Sequence, residues 1–394
     1  MAIEKTDINR FIELSKKYPV LDVRSPGEYA HAHIPGAVSL PLFTDEERKV
    51  VGTAYKQESK EQAIKIGLKY FGPKMVTMVE EAEALAKKYD GKNDPLTNDP
   101  MTQPDTMTII VHCWRGGMRS AGVAWLLSLY GFKVYTIVGG YKAYRGWVRK
   151  QFESEYQLNI LGGNTGSAKT KVLQLLAAKG ETTIDLEGLA SHKGSAFGKI
   201  GMAPQPSQEM FENLLAEELF SSQKRLLLKG DADEDVTGNR QLATGNRIWL
   251  EDESQRIGDV MIPDPFWKQM RKSPVFFLDI PFEERLDYLV KDYSKGQVEE
   301  FVNAVIRIKK RLGGLEAKTA ISHLMEGDMK EAFRVLLTYY DKWYKKGLYS
   351  RDDIHNLLTE IPFSTVLQAG QAEQLISTSR QKKEAVQNET APGV

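Results

Sequence analysis

The chain's only cysteine lies in a loop whose residues suit a nucleophilic thiol next to a bound anion. Cys113 stands in the stretch VHCWRGGMRS, and Arg115 and Arg119 follow it within six residues. Backbone N–H groups at the start of a helix can converge on a negative charge, and Gly116 and Gly117 permit the positive φ values that such a nest requires. The same field favours the thiolate, which is the reactive form of cysteine. We therefore predict Cys113, Arg115 and Arg119 as catalytic residues.

A second stretch, GNTGSAKT, has the spacing of a phosphate-binding loop, G-x-x-x-x-G-K-[ST]. In such a loop the backbone N–H groups wrap a diphosphate, Lys169 reaches its outer oxygens, and the Thr170 hydroxyl holds Mg²⁺. Ala168 departs from the motif, which has its second glycine there, so its methyl group is expected to crowd the phosphate or strain the turn. The predicted diphosphate-binding residues are Gly163, Asn164, Thr165, Gly166, Ser167, Ala168, Lys169 and Thr170.

Acidic residues further along the chain are candidates for orienting a metal ion beside that loop. The stretch IWLEDES is an apolar run that ends in acids, as in the segment that holds Mg²⁺ next to a phosphate-binding loop. A second glycine-rich segment, DLEGLASHKGSAFG, carries further polar side chains, of which His192, Lys193 and Ser195 are candidate contacts for an anion. No histidine spacing fits a zinc site. The candidate metal ligands, or residues that position them, are Thr170, Asp185, Glu251 and Asp252.

The elements that position these loops alternate between short β-rich runs and helical patterns. In the first part of the chain the β-rich runs are YPVLDVR, MTIIVH and FKVYTIVGG; in the second they are QLNILGG, ETTIDLEG, NRIWLEDES and SPVFFLDIP. Such alternation predicts α/β units with parallel sheets covered on both faces. Because ligands bind at the carboxyl edge of such sheets, both loops are expected at a functional edge. From about Phe282 to about Leu358 the pattern is helical.

The length of 394 residues favours two domains. We predict a first domain over 1–140, a linker helix over 141–154, and a second domain with a helical extension over 155–370. Residues 371–394 are polar and aperiodic, which predicts a disordered tail. Two further polar stretches, 89–106 and 229–246, are predicted as surface loops.

Composition limits the possible partners and the compartment. The 53 Lys and Arg balance 53 Asp and Glu, so a polyanionic partner would need a local basic patch. A single cysteine excludes an intrachain disulfide framework and fits a reducing compartment. No run of about 18 apolar residues occurs, and the N-terminus lacks a signal-peptide core, so we expect no membrane segment and a cytoplasmic location.

The first part of the chain resembles the rhodanese domain family, in which a cysteine carries sulfur or selenium. The resemblance rests on LDVRSPGEYAHAHIPGAVSLP followed by HCWRGGMRS. It implies structural roles for Asp22, Arg24, Glu28 and His33. The same loop also resembles the cysteine phosphatase signature H-C-x-x-G-x-x-R, and its length makes a nest wide enough for a tetrahedral anion. The loop alone does not decide between the two families.

The combination of both loops with DLEGLASHKGSAFG and LEDESQRIG resembles the tRNA 2-selenouridine synthase family over roughly residues 5–365. The resemblance implies a rhodanese-like domain joined to a P-loop NTPase-like α/β domain with a helical C-terminal part. It further implies a transferase that acts on 2-thiouridine at the wobble position of tRNA. Geranyl diphosphate would alkylate the sulfur to S-geranyl-2-thiouridine, with Mg²⁺ as a possible aid, and selenophosphate from a supplying enzyme would then provide selenium. Cys113 would be the nucleophile or carrier of the selenium step.

Contacts to tRNA are predicted on two basic segments, the linker helix and RIKKR (307–311), because RNA is held through phosphates and by stacking of bases on aromatic rings. Solvated helix faces with buried aromatics remain the alternative. Other functions also stay open at this point, namely a rhodanese-fold phosphatase or sulfurtransferase fused to a nucleotide-binding domain, and a non-enzymatic tRNA- or nucleotide-binding regulator. The candidate anion or tRNA contacts are Arg145, Arg149, Lys309, Lys310 and Arg311 on these segments, together with His192, Lys193 and Ser195.

Overall fold

A computed structural model describes residues 2–90, 107–230, 247–294 and 296–390, which form two compact units, 1–150 and 151–394. The predicted surface loops at 89–106 and 229–246 lie outside the described residues, apart from the first two positions of each, which end a helix. Within the described ranges, no helix combines the length and apolar character that a membrane crossing needs.

The first unit is built on one parallel sheet. Its strands are β1 (Ala2–Thr6), β2 (Val20–Asp22), β3 (Val38–Ser39), β4 (Thr108–His112) and β5 (Lys133–Ile137). Its helices are α1 (Ile8–Leu14), α2 (Pro26–His31), α3 (Asp45–Gln57), α4 (Lys60–Phe71), α5 (Met75–Asp90), α6 (Met118–Tyr130) and α7 (Gly140–Glu153), with a 3₁₀ turn at Gly72–Lys74.

The strand order is β1-β5-β4-β2-β3, and every pairing is parallel. The central strand β4 has Ile109, Ile110 and Val111 fully buried, because helices cover both faces of the sheet. The predicted α/β character is confirmed. Strand β1 was not predicted, since AIEKT alternates weakly and gains its place only by pairing with β5.

The second unit contains a second parallel sheet. Its strands are β6 (Leu158–Gly163), β7 (Thr182–Ile184), β8 (Ile248–Glu251), β11 (Val275–Asp279) and β12 (Leu358–Pro362), with a separate hairpin of β9 (Arg256–Ile257) and β10 (Val260–Met261). Its helices are α8 (Lys169–Ala178), α9 (Leu186–Ala190), α10 (Gln208–Gly230), α11 (Asp264–Arg271), α12 (Phe282–Asp292), α13 (Val298–Leu312), α14 (Gly314–Met325), α15 (Met329–Leu348), α16 (Ile354–Leu357) and α17 (Gln371–Thr390).

This sheet has the order β12-β11-β6-β8-β7, so β6 lies at its centre and delivers the predicted phosphate-binding loop to the carboxyl edge. The predicted helical region is confirmed as α12 to α15, which pack around a core that includes Phe301, Phe333 and Leu336. Sequence patterning did not find β12, which follows the helices and pairs with β11.

The predicted disordered tail from 371 is corrected. Gln371–Thr390 is helical, and Ala372 and Leu375 are buried in a cluster with Leu176 of α8. Lys382 also donates from Nζ to the Leu357 carbonyl oxygen at 2.6 Å. Two apolar positions one turn apart are enough to dock a helix whose other faces are polar, so low mean hydropathy did not mean disorder here. Residues 391–394 lie outside the described residues.

The predicted linker helix corresponds to α7, which crosses the boundary between the two units at Lys150. Its aromatic residues Tyr141, Tyr144 and Trp147 are buried, and Arg145 is only 7% exposed. Their burial favours the structural alternative for these aromatics over base stacking. Arg149 is exposed.

Candidate functional sites

Cys113 follows β4 directly and precedes α6, so the sheet edge and the helix start define its loop. Its Sγ lies 3.2 Å from Ser120 Oγ, and the backbone N–H groups of Arg115, Gly117 and Ser120 also point to the sulfur. Burial alone would raise the pKa of the thiol, but these hydrogen bonds outweigh it and hold the pKa below its ordinary value. The loop therefore favours the thiolate form of Cys113 relative to an ordinary cysteine.

The turn between β5 and α7 packs closely against this loop and fixes its shape. Gly116 has φ +65°, and a Cβ there would lie 2.4 Å from the Ile137 carbonyl oxygen, so only glycine fits. Gly117 has φ −100°, so the expected positive φ occurs at only one of the two glycines. The Tyr141 N–H donates to the Cys113 carbonyl oxygen at 2.9 Å, which ties the loop to the start of α7.

Arg119 is paired with a carboxylate. Its Nη1 donates to Glu28 Oε2 at 2.7 Å, and the same carboxylate accepts from Arg48 Nε at 3.0 Å and from the Ser25 N–H at 3.2 Å. Burial would raise the pKa of Glu28, yet Arg119 and these other donors lower it to about 2. Glu28 thus holds the predicted catalytic Arg119 in place, while Arg115 is exposed at the loop.

Asp22 and Arg24 are buried and paired with each other, which fits the structural roles that the resemblance implies for them. Arg24 donates from Nε to Asp22 at 2.9 Å, and its guanidinium lies 3.9 Å from the centre of the Tyr141 ring. His112 is fully buried, and burial lowers its pKa to about 4. It is therefore neutral near pH 7 and is no proton donor for Cys113.

The second candidate site begins where β6 ends at Gly163 and α8 starts at Lys169. The loop is closed by hydrogen bonds from the Ser167 N–H, at 3.1 Å, and from its hydroxyl to the Asn164 carbonyl oxygen. Lys169 Nζ lies 3.3 Å from the Gly163 carbonyl oxygen, folded over the loop. Ala168 adopts φ +54° and ψ +36°, the left-handed conformation that the motif's glycine normally supplies. The loop thus keeps its backbone form despite a strained alanine.

Oxygen donors surround Lys169 at the start of α8. The Thr170 hydroxyl donates to Glu187 Oε2 at 2.9 Å, and Glu253 Oε1 lies 3.9 Å from Lys169 Nζ. Burial raises the pKa of Glu253, and the charge of Glu187 adds to this rise while Lys169 opposes it. The motifs did not single out Glu187 or Glu253, although both lie in the segments that carried the predicted acids. Spacing along the chain does not reveal that these two carboxylates lie beside the loop, because folding brings them there.

These donors fit Mg²⁺, which binds proteins through hydroxyl and carboxylate oxygens and completes its shell with substrate phosphates. Thr170, Glu187 and Glu253 are the residues that would hold it. Among the described residues, no group of three or more His, Cys, Asp and Glu side chains is placed to hold a metal by itself.

The acids predicted from the motifs have other contacts in the structure. Asp185 caps α9 by accepting from the Gly188 N–H. Asp252 is paired with Arg351 and accepts the Tyr344 hydroxyl at 2.7 Å, so Glu253 rather than Asp252 faces Lys169.

Glu251 is fully buried and accepts the Leu186 N–H at 2.9 Å. Burial raises its pKa well above the usual range, and the charges of Asp185 and Glu187 raise it further. A neutral buried carboxyl that holds the start of α9 fits a structural role.

A cavity of about 1280 Å³ opens at the phosphate-binding loop and gathers most of the predicted residues of the second unit. His192 is 5% exposed and accepts the Gly194 N–H at Nδ1, so it shapes the glycine-rich segment. Lys193 pairs with Asp292 at 2.8 Å, and Ser195 accepts the Phe197 N–H at 3.2 Å. Arg311 lines the cavity too, whereas Lys309 and Lys310 are exposed outside it.

Comparison with known proteins identifies the family of each domain. A family model described as tRNA 2-selenouridine synthase AAA domain matches residues 156–359, and one described as Rhodanese-like domain matches residues 7–146. A tRNA 2-selenouridine synthase of Sulfurovum sp. is 32% identical over 358 residues, which cover 84% of this chain and 87% of the relative. The chain belongs to the tRNA 2-selenouridine synthase family.

Two further members of the tRNA 2-selenouridine synthase family show similar agreement. The protein from Hydrogenovibrio crunogenus is 32% identical over 375 residues, covering 87% of this chain and 92% of its own. The protein from Shewanella denitrificans is 35% identical over 316 residues, covering 75% and 76%. The predicted fold class is confirmed, because the rhodanese-like match contains the Cys113 loop and the synthase-specific match contains the phosphate-binding loop.

Proposed function

We propose that this chain converts 2-thiouridine at the wobble position of tRNA to 2-selenouridine through S-geranyl-2-thiouridine. The observation that carries the proposal is the pairing of two anion-binding loops within one member of the synthase family. One loop holds a thiol whose pKa is lowered, and the other has the form of a diphosphate cradle. This pairing favours a synthase over a phosphatase, a sulfurtransferase or a binding-only regulator, none of which needs both loops.

We assign the alkylation step to the cavity of the second unit. The sulfur of 2-thiouridine attacks C1 of geranyl diphosphate, the carbon–sulfur bond forms as the carbon–oxygen bond breaks, and N3 of the base loses its proton. As diphosphate leaves, negative charge increases on the oxygen that was bonded to C1. The N–H groups of the Gly163–Thr170 loop and the ammonium of Lys169 would offset this charge. Mg²⁺, when bound, would supply further positive charge at the same oxygens.

We assign the selenium step to the Cys113 loop. Selenium from selenophosphate bonds to C2 of the base, and the C2–sulfur bond breaks as the geranyl thiol leaves with a proton. N3 of the base regains the proton that it lost in the alkylation step. Water takes the place of selenium on phosphorus and yields phosphate. The loop N–H groups and the exposed Arg115 suit the phosphate end of selenophosphate. Cys113 would act as the nucleophile: its sulfur bonds to phosphorus as the phosphorus–selenium bond breaks, and the released hydrogen selenide attacks C2 before water frees the cysteine. A separate enzyme would supply the selenophosphate.

The test is nucleoside mass spectrometry of 2-thiouridine-containing tRNA incubated with the protein, geranyl diphosphate, Mg²⁺ and selenophosphate. We expect 2-selenouridine, and S-geranyl-2-thiouridine alone when selenophosphate is left out. Unchanged 2-thiouridine in both reactions would refute the proposed function.

A further inference from the structure

The cavity at the phosphate-binding loop is larger than one small substrate needs. Its volume of about 1280 Å³ exceeds the roughly 300–1,000 Å³ typical of pockets for small ligands. The loop residues from Thr165 to Lys171 form only part of its lining. A diphosphate held by the loop leaves the rest of the cavity open to a second ligand.

Four arginines of the cavity lining form no close ion pair among the described residues. Arg256, Arg271, Arg307 and Arg311 line it, and within the described part of the chain none of them forms an ion pair with a carboxylate. Three of them donate instead to backbone carbonyl oxygens, which carry no net charge. Several acids of the lining, in contrast, are paired with other cations, as in Asp252–Arg351, Asp259–Lys199 and Asp292–Lys193.

An exposed aromatic surface lies among these charges. Trp343 of α15 is 46% exposed, the Tyr339 ring lies 6.2 Å away, and Lys346 Nζ lies 5.1 Å from the Trp343 ring centre. Arg311 of α13 lies close enough to Tyr339 for its positive charge to favour the ionised form of the tyrosine hydroxyl. We name Arg307, Arg311, Tyr339 and Trp343 the α13–α15 face.

Flat rings flanked by arginines match unstacked RNA better than they match a second small molecule. Single-stranded RNA offers bases that stack on tryptophan and tyrosine, together with phosphates that arginine binds. The chain has no net charge, so a polyanion must find a local basic surface. The α13–α15 face supplies both components beside the predicted alkyl donor.

We infer that the α13–α15 face is the docking site for the RNA loop that carries the reacting base. The base stacks on Trp343, Arg307 and Arg311 bind the adjoining phosphates, and the base sulfur faces the donor held at the phosphate-binding loop. This inference rests on the proposed function, since it takes tRNA as the substrate.

The test measures the affinity of the full chain for 2-thiouridine-containing tRNA as a function of salt concentration. Trp343→Ala is expected to weaken binding by about 5- to 150-fold, the loss associated with one stacked base, while Trp343→Phe retains most of the affinity. Arg311→Gln is expected to lower the slope of log affinity against log salt by about 0.7, the value for one phosphate of a single strand. The matched control is Lys318→Gln, which removes an exposed charge from α14 outside the cavity.

Thermal unfolding of every variant checks that it is folded like the wild type. The inference is overturned if the wild type binds tRNA and converts its 2-thiouridine while Trp343→Ala and Arg311→Gln bind like Lys318→Gln. If the wild type neither binds tRNA nor alters its nucleosides, the proposed function fails, and the inference fails with it. The two failures are therefore distinguished by the wild type alone.

Discussion

Ser120 is the side chain that sets the reactivity of Cys113. Its hydroxyl lies 3.2 Å from the sulfur and is the largest influence that stabilises the thiolate against burial. Ser120→Ala should raise the pKa of the thiol by about one unit, since a hydrogen bond to a charged group contributes about 1.5–3 kcal/mol and part of this remains through backbone N–H groups. A higher pKa means less thiolate at a given pH.

The measurement is the rate of alkylation by iodoacetamide as a function of pH, which reports on Cys113 alone because the chain has one cysteine. We expect the profile of Ser120→Ala to move to higher pH, with slower alkylation below the pKa. Ser128→Ala removes another buried hydroxyl from the same helix and should leave the profile in place. Coincident profiles for Ser120→Ala and the wild type would contradict this role of Ser120.

At the scale of single residues, the sequence predicted chemistry that local spacing determines and missed contacts that folding creates. Cys113, Lys169 and the loop glycines are predictable because one short segment carries the whole motif. The pairing of Glu28 with Arg119 joins residues 91 positions apart. The approach of Glu253 to Lys169 likewise depends on β8 lying beside β6. Neither contact follows from spacing along the chain.

At the scale of elements, the turn from β6 into α8 contains strain that one substitution can remove. Ala168 holds a left-handed conformation that costs an L residue about 1–2 kcal/mol relative to glycine. Glycine in turn gains about 0.4–1 kcal/mol of chain entropy on unfolding. Ala168→Gly should therefore raise the free energy of unfolding by up to about 1 kcal/mol, measured by urea denaturation.

The control is the same substitution at Ala177, an exposed position inside α8. Ala177→Gly should lower the free energy of unfolding by about 0.5–1 kcal/mol, because helical backbone favours alanine. A loss of stability in Ala168→Gly as large as that in Ala177→Gly would show that the turn is not strained.

Elements with strong periodicity were predictable, and those stabilised by a partner were not. The buried strands β4, β6 and β11 are mostly apolar, so their type followed from the sequence. Helix α17 shows the opposite case, because its buried apolar residues Ala372 and Leu375 indicate a packed helix only once α8 lies against them. Strands β1 and β12 depend in the same way on the strands that they join.

At the scale of the whole molecule, each compact unit contains one of the two sites. Cys113 lies in the unit 1–150, and the phosphate-binding loop lies in the unit 151–394. If the two units perform successive steps, loss of one site should leave the other step intact. Two single-site variants should therefore each perform one step. Transfer of the modified tRNA from the first variant to the second should complete the reaction.

The most direct measurement follows one tRNA through two single-site variants by nucleoside mass spectrometry. Cys113→Ala first receives 2-thiouridine-containing tRNA with geranyl diphosphate and Mg²⁺, and the tRNA is then purified and given to Lys169→Ala with selenophosphate. We expect S-geranyl-2-thiouridine after the first reaction and 2-selenouridine after the second, while Lys169→Ala leaves unmodified 2-thiouridine largely unchanged. Formation of 2-selenouridine by Cys113→Ala, or failure of Lys169→Ala to convert the geranylated tRNA, would contradict the division of the reaction between the two sites.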